Sequence, residues 1–285
     1  MARAFSKAEL VQIYEEHPLK KSTILARIQR QKGSLSGITE LDLAVDDETE
    51  ITDQNHIGGL GFLRQLAGKA GVTPDTLVLD AGCGLGGASR ALAHLYGCRV
   101  HGVELTEQRY GDALALTELT GLEKLVSFTC ADFLSADLPL AKFDIVLAQS
   151  SFAHFHDKKA LAARCASFLG ESGRLAVEDV YLRRPASTQD EKLQLYELED
   201  GWKSYISSLD EWLVCLRDAG FRVLVNEDLT QAFEGYYSKL LRVSEASPPG
   251  SFSANEVAAW NRALALARAG VISYARVVAT LQSSQ

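Results

Sequence analysis

The sequence predicts an α/β protein with a doubly wound sheet of about seven strands. Three observations predict it. From about residue 77 to 180, short aliphatic runs alternate with amphipathic helical segments, which is typical of βαβ units around a largely parallel sheet. A glycine-rich run follows the first strand and opens a helix. A final strand pattern, VISYARVVAT, begins at Val271 and closes the chain.

The core elements follow one another in a regular order. Strand patterns begin with LVLDAG at Leu77 and end with FRVLVNE near residue 228. The last core helix, LDEWLVCLRDAG, has Gly220 where a helix-ending glycine is expected. The remaining segments, in chain order, are helix ASRALAHLYG, strand CRVHGVEL, helix TEQRYGDALALTELTG, strand LVSFTCAD, strand FDIVLAQ, helix DKKALAARCASFLG and strand GRLAVEDV.

Helical additions flank this core, which is assigned to residues 71–228. Residues 1–70 form an N-terminal helical cap, with a capping box at Ser6 and Glu9 and a break at Pro18. Residues 229–270 form a helical lid with a turn at SPPGS, residues 247–251, and a second capping box at Ser253 and Glu256. Residues 271–285 return to the core as its final strand.

The composition describes an ordinary globular chain of 285 residues, 47% apolar and 23% charged, with a formal net charge of −8. An acidic chain is a poor partner for nucleic acid, because Lys and Arg supply most of that binding. Five cysteines stand singly and are expected to be reduced, buried thiols of a cytoplasmic protein. The sequence has no apolar run long enough for a membrane span.

The most specific motif is the run Asp80-Ala-Gly-Cys-Gly-Leu-Gly-Gly at the first strand–helix junction. Glycines there allow a tight turn and let a nucleotide approach the backbone. On spacing alone, Gly82, Gly84 and Gly87 also satisfy the dinucleotide fingerprint G-x-G-x-x-G. The motif by itself therefore leaves the nucleotide undecided.

Acidic residues follow three consecutive strands and indicate which nucleotide is bound. Asp80 ends the first strand, Glu104 ends the second, and Asp132 follows the third. A carboxylate at Asp80 would repel a pyrophosphate but attract an ammonium or sulfonium group. Glu104 is placed to accept both ribose hydroxyls, and Asp132 to accept an adenine amino group. The pattern favours a cationic nucleoside, S-adenosyl-L-methionine, over an anionic dinucleotide.

At these residues the chain resembles the class I S-adenosylmethionine-dependent methyltransferases. LDAGCGLGGASR is similar to their first motif, GVEL to the second-strand acid, CADF to the adenine-pocket motif, and FDIVLAQSSFAHF to the fourth-strand motif. DQNHIGGLGFLRQLA resembles the segment that lies over the methionine end of the cofactor in a small-molecule branch, which includes sarcosine and dimethylglycine N-methyltransferases and tocopherol-type C-methyltransferases. The resemblance implies a Rossmann-like fold whose last strand is antiparallel, with a helical lid inserted before it.

The residues and the resemblance together predict the site. The expected cofactor-binding residues are Asp80, Gly82, Cys83, Gly84, Gly86, Glu104, Leu105, Asp132, Phe133, Gln149 and Gln54. The catalytic candidates are His154, His156 and Gln149, since they follow the fourth strand, where ligands lie in open α/β sheets. Either histidine could instead be a plain surface or helix-entry residue, and no spacing supports a metal site.

The predicted activity is methyl transfer to a small-molecule acceptor by in-line displacement, with an amine or hydroxyl acceptor favoured. A neutral amine needs no strong base, whereas a hydroxyl acceptor would use His154 or His156 as one. The alternatives are an NAD(P)-dependent oxidoreductase using the same glycine loop and a non-catalytic methyltransferase-like binding scaffold. Neither nucleic acid nor membrane is expected as a partner, and the oligomeric state is left open, with a homodimer as one alternative.

Overall fold

The computed structural model describes residues 5–46, 51–138, 142–247 and 252–282. A seven-stranded sheet runs through it in the order β3-β2-β1-β4-β5-β7-β6. The strands are β1 (Leu77–Ala81), β2 (Arg99–Glu104), β3 (Val126–Cys130), β4 (Phe143–Gln149), β5 (Leu169–Leu182), β6 (Phe221–Asp228) and β7 (Ile272–Leu281).

Strand β7 lies between β5 and β6 and is antiparallel to both, while β1 to β5 pair in parallel. The predicted mixed sheet with an antiparallel last strand is therefore confirmed. Parallel neighbours need crossover connections, which the helices provide. The helices are α1 (Lys7–Glu15), α2 (Lys21–Lys32), α3 (Glu40–Ala44), α4 (Gly59–Ala70), α5 (Gly87–Tyr96), α6 (Glu107–Leu119), α7 (Lys158–Phe168), α8 (Gln189–Trp202), α9 (Leu209–Asp218), α10 (Thr230–Ala246) and α11 (Ala254–Arg268).

The sheet is apolar on both faces because helices cover both. Successive residues of β1 point to opposite sides: Leu79 joins the core cluster formed with α7 and α9, and Val78 joins the cluster formed with α4 and α5. Such continuous burial is typical of parallel strands. Because β1, β2 and β4 run parallel, their polar carboxyl ends lie at one edge of the sheet.

Local sequence signals set the ends of several helices as predicted. Both capping boxes form, at Ser6 with Glu9 and at Ser253 with Glu256. The chain breaks between α1 and α2 around Pro18, and Gly220 follows α9 with a φ of 90°. Helices α3 and α8 were not predicted. The expected SPPGS turn spans residues 247–251, and all of it after residue 247 lies outside the described residues.

The cysteine prediction is wrong in part. Cys83, Cys98 and Cys165 are buried, but Cys215 is half-buried and Cys130 is exposed. Cys130 ends β3, which is the edge strand of the sheet, so fewer neighbours cover it. Within the described residues, no helix combines the length and apolar character that crossing a membrane requires.

Candidate active site

A cavity of about 390 Å³ opens at the carboxyl ends of the parallel strands, beside the glycine loop. Ligands bind at this edge in open α/β sheets. The cavity brings together most of the predicted residues from four separate strand ends. Those that line it are Asp80, Gly82, Cys83, Gly84, Glu104, Leu105, Asp132, Phe133, Gln149, His154 and His156.

Close approach of neighbouring chain segments explains two glycines of the loop. Gly82 has a φ of 76°, and a Cβ there would stand 2.7 Å from Ser151 Cβ. Gly84 has a φ of 57°, and its amide donates to Glu104 Oε2 at 3.0 Å. The left-handed backbone is readily adopted by glycine, so the loop can turn under the cavity floor.

Gly86 was predicted to bind the cofactor, but it does not line the cavity. It precedes α5 with a φ of 76°, and a Cβ there would stand 2.7 Å from Phe128 Cζ and 2.8 Å from Arg90 Nη1. The adjacent Gly87 is as tightly packed, since a Cβ would overlap the carbonyl oxygen of Asp53. These two glycines serve packing between α5 and its neighbours.

Gln54, which was also predicted to bind the cofactor, does not line the cavity either. Its side chain donates to Asp53 Oδ1 at 2.9 Å, and its Oε1 lies 3.1 Å from His56 Nε2. The flanking residues Asp53, Asn55 and His56 line the cavity in its place. The segment before α4 therefore does reach the cavity, but the amide of Gln54 is turned into a local hydrogen-bond network.

The three acids are held in different ways. Asp80 is buried and accepts from Ser89 Oγ at 2.6 Å, and burial raises its pKa to about 6. Glu104 Oε1 accepts from both the amide and the hydroxyl of Thr106 at 2.8 Å. Asp132 accepts from the Leu134 amide at 3.0 Å and pairs with Lys7 at 3.7 Å. At neutral pH Asp80 therefore remains largely ionised, beside a cavity rimmed by two further carboxyl groups.

Gln149 ends β4 on the cavity wall, where a buried ion pair fixes its orientation. Its Nε2 donates to Glu178 Oε2 at 2.7 Å, and Glu178 Oε1 accepts from Arg276 Nε at 2.6 Å. Both partners are buried. Ser150 follows with a φ of 54°, a left-handed conformation that is uncommon outside glycine. Backbone strain of this kind clusters at functional sites.

His154 lies in a short 3-10 turn, Phe152–His154, that buried charges hold in place. Asp179 Oδ2 accepts from the amides of Phe152 and Ala153 at 2.7 and 3.0 Å, and Lys158 Nζ donates to the carbonyl oxygen of Phe152 at 2.8 Å. The turn is thus anchored at its amides and at a carbonyl group. This anchoring fixes the backbone from which the histidine ring projects.

The ring of His154 pairs with a tyrosine from α1. His154 Nδ1 lies 3.2 Å from the carbonyl oxygen of Lys203, so this nitrogen carries the proton. Nε2 is then the acceptor, and the Tyr14 hydroxyl donates to it at 2.7 Å. Burial lowers the pKa of His154 to about 4 and raises that of Tyr14 to about 12. His154 is therefore neutral, with its lone pair directed at Tyr14.

His156 has a different environment. It is exposed, and its ring lies 4.8 Å from the ring of Tyr205 in an edge-to-face contact. Tyr205 in turn contacts Phe5, with 5.1 Å between ring centroids, and its hydroxyl accepts from the Phe5 amide. His156 thus belongs to the rim of the cavity, where α1 meets the segment after α8.

Sequence reasoning missed the residues that cover the cavity. They come from α1 and from α6, and include Lys7, Leu10, Tyr14 and Arg109. No residue of α10 or α11 lines the cavity within the described residues, although these helices were expected to form the lid. They pack instead with α8 against the end of β7, in a cluster that includes Phe233 and Tyr274. No local motif marks Tyr14 or Arg109, so the sequence alone offered no signal for them.

Comparison with known proteins agrees with this fold and site. Residues 78–173 match the family model described as "Methyltransferase domain". This stretch of the chain is therefore similar to a methyltransferase domain, and the expected resemblance to S-adenosylmethionine-dependent methyltransferases is confirmed.

Individual relatives narrow the comparison. The chain is 31% identical over 189 residues to the glycine/sarcosine/dimethylglycine N-methyltransferase of Actinopolyspora halophila. The matched stretch covers 65% of this chain and 32% of that protein. The chain spans about a third of the length of the first curated relatives that it matches. The whole activity of those longer proteins is therefore not established for it by this likeness.

Solved structures agree on the fold. The geranyl diphosphate C-methyltransferase of Streptomyces coelicolor A3(2) has a TM-score of 0.71 at 19% identity, covering 96% of this chain and 97% of that one. The [4+2]-cyclase SpnF has a TM-score of 0.70 at 19% identity, covering 99% and 98%. At such identities the likeness establishes the fold, and function must be argued from the site.

Proposed function

We propose that this protein transfers a methyl group from S-adenosyl-L-methionine to a small-molecule acceptor. The observation that carries the proposal is the convergence of Asp80, Glu104 and Asp132 on one cavity beside the glycine loop. Such a rim attracts a cationic nucleoside. It disfavours the pyrophosphate of a nicotinamide dinucleotide, because buried Asp80 would face that group.

The residues present fit this cofactor. Glu104 is fixed by Gly84 and Thr106 with its carboxylate at the cavity wall, where it can accept hydroxyl groups of a ribose. Leu105 and Phe133 supply apolar wall beside Asp132, which suits an adenine ring with an amino group at its edge. When bound, S-adenosylmethionine supplies a methyl group already activated on a sulfonium sulfur.

The protein's remaining task is to align the acceptor and to exclude water. Alignment at near-contact distance can account for several kcal/mol of barrier reduction. Helix α1 lies over the cavity, contributing Leu10 and Tyr14 to its lining. A covered cavity of this size suits a small acceptor.

The Tyr14–His154 pair supplies a route for a proton. The Tyr14 hydroxyl donates to His154 Nε2, so a hydroxyl acceptor that donates to Tyr14 could lose its proton as His154 gains one. A neutral amine acceptor attacks without prior proton loss. Gln149 supplies a further polar contact on the cavity wall, and His156 supplies a contact for the acceptor at the rim.

Calorimetric titration of S-adenosylhomocysteine, with NAD⁺ and NADH as comparison ligands, tests the proposal. We expect S-adenosylhomocysteine to bind and neither nicotinamide form to bind. Preference for the dinucleotides would instead identify the rival oxidoreductase. Binding of S-adenosylhomocysteine without methyl transfer to any of a panel of small amines and alcohols would favour the rival non-catalytic scaffold.

We also propose that the protein does not act on nucleic acid and that it is located in the cytoplasm. The net charge of −8 supports a chain that does not act on nucleic acid, and the singly placed cysteines support a cytoplasmic location. A homodimer is tested by light scattering during size-exclusion chromatography. A mass of twice 31.0 kDa would support it.

A further inference from the structure

Arg109 is a buried cation on the wall of the cavity. It lies in α6, is 4% exposed and lines the cavity. Its Cζ stands 4.4 Å above the ring centroid of Tyr14. On the other side, its Nη1 approaches the glycine loop, 3.2 Å from where a Cβ on Gly84 would be. The guanidinium therefore lies between the loop and the covering helix.

No anion of the chain pairs with this guanidinium in the part of the chain that the structure describes. Its Nε and Nη2 are buried without a hydrogen-bond partner. The nearest carboxylates are occupied elsewhere, since Glu104 accepts from Gly84 and Thr106. Asp112 accepts from the Lys21 amide at 2.9 Å and pairs with its ammonium at 3.9 Å.

An unpaired buried charge is costly, because desolvation is not offset by an opposite charge or by hydrogen bonds. The cation–π contact with Tyr14 offsets part of that cost. Burial lowers the pKa of Arg109, but guanidinium groups stay protonated in proteins. Arg109 thus presents a positive charge and free N–H donors at a cavity that Asp80, Glu104 and Asp132 also line.

We infer that Arg109 binds an anionic oxygen group, a carboxylate or phosphate, of the ligand that occupies this cavity. The inference rests on the proposed function, which supplies two sources of such a group. One is the carboxylate of the cofactor's methionine portion, and the other is an anionic group on the acceptor. A guanidinium matches either group with paired hydrogen bonds.

The experiment compares Arg109→Gln with a matched control, Arg99→Gln, which makes the same change at an exposed residue at the start of β2. Calorimetry measures the affinity of each protein for S-adenosylhomocysteine and for 5′-methylthioadenosine, which lacks the amino-acid portion. Thermal unfolding of the S-adenosylhomocysteine-loaded proteins is then measured with sodium acetate or inorganic phosphate, against chloride of equal ionic strength.

Either of two results supports the inference. If the cofactor supplies the anion, Arg109→Gln lowers the affinity for S-adenosylhomocysteine by roughly tenfold or more, as expected for the loss of a hydrogen bond to a charged group. The affinity for 5′-methylthioadenosine is then unchanged. If the acceptor supplies it, both affinities hold, while acetate or phosphate raises the Tm of the loaded wild-type and Arg99→Gln proteins but not of Arg109→Gln.

Two results overturn it. If Arg109→Gln bound both nucleosides more weakly by the same factor, Arg109 would act on the adenosine portion. If neither the affinities nor the Tm values changed, Arg109 would bind no anion. Wild-type protein that binds neither nucleoside would refute the proposed function. The acetate and phosphate arms on unliganded protein would then decide the anion site separately.

Stability separates an anion site from a structural role. Removing an unpaired buried charge should not lower the Tm of the unliganded protein, whereas losing a structural residue should. We expect unliganded Arg109→Gln to unfold at the wild-type temperature or above it. A clearly lower Tm would assign Arg109 to the fold and overturn the inference.

Discussion

Residues around the cavity depend on neighbours that fix which of their atoms face a ligand. Glu104 has both carboxylate oxygens held by N–H or O–H donors, from Gly84 on one side and Thr106 on the other. A carboxylate has an acceptor oxygen on each side, whereas an amide has an oxygen on one side and an NH₂ donor on the other. The hydrogen bonds around Glu104 therefore require a carboxyl group at this position.

Glu104→Gln tests that dependence. One side of the new amide must be an NH₂ group facing a donor, so we expect the free energy of unfolding to fall by about 1–3 kcal/mol. S-adenosylhomocysteine should also bind at least about tenfold more weakly. Denaturation and calorimetry measure these effects. Glu107→Gln, an exposed residue in the first turn of α6, is the control, and equal effects in both variants would contradict the assignment.

Tyr14→Phe tests the proton route. The variant removes the hydroxyl that donates to His154 Nε2, and we expect kcat for hydroxyl acceptors to fall by about 10²-fold, the lower end for general-base catalysis. Affinity for S-adenosylhomocysteine should hold within about threefold, and amine acceptors should keep their kcat. His154→Ala should give the same pattern. Full activity with hydroxyl acceptors in both variants would exclude a base at this position.

The helices around the cavity differ in how tightly they are packed. Most of helix α5 is buried, and its first residue, Gly87, touches the backbone before α4. Helix α1 has half-buried residues such as Tyr14 but none that is fully buried, and side-chain contacts hold it at its two ends, Lys7 with Asp132 and Tyr14 with His154. The floor of the cavity is therefore rigid core, and its cover is a lightly held helix.

Two helical glycines allow the tight packing of α5 to be compared with an exposed helical position. At Gly87, an added methyl group would overlap the Asp53 carbonyl oxygen, so Gly87→Ala should lower the free energy of unfolding by about 1–3 kcal/mol through overpacking. At exposed Gly111 in α6, nothing lies within 4 Å of an added Cβ. Gly111→Ala should therefore raise it by about 0.5–1 kcal/mol. Chemical denaturation measures both, and a stabilising Gly87→Ala would refute the packing role.

Several titratable groups of the protein are buried, and their shifted pKa values make its stability depend on pH. Burial lowers the pKa of His56 from 6.5 to about 4. The unfolded chain then binds the proton first as the pH falls, so His56 contributes stability above pH 6.5 that is lost on the way to pH 4. Raised carboxyl pKa values, such as that of Asp80, change the stability in the opposite direction. The contribution of His56 must therefore be measured as the difference between the wild type and a variant that lacks this histidine.

The His56→Gln variant isolates it. The free energy of unfolding of wild type minus that of the variant should fall as the pH drops from 6.5 to 4, by up to about 1.4 kcal/mol per pH unit. Urea denaturation across that range provides the values. His94→Gln, the same change at an exposed histidine in the last turn of α5, is the matched control. A flat difference for His56→Gln would show that burial does not lower the pKa of His56.

The residue pattern was enough to predict the sheet and the carboxylates at the cavity, and the resemblance to known methyltransferases added the antiparallel direction of the final strand. Strand periodicity, glycines at a strand–helix junction and acids at strand ends are local signals, and parallel strands bring their carboxyl ends to one edge whatever else the chain does. Tertiary packing, which no local pattern reveals, places Gly86 against Phe128 and Arg90, turns Gln54 to Asp53 and His56, and brings α1 to the cavity. It alone brought Tyr14 to His154 across 140 residues and left Arg109 unpaired beside them. Such contacts depend on how separate elements dock, and the energies that decide docking are distributed over side chains far apart in the chain.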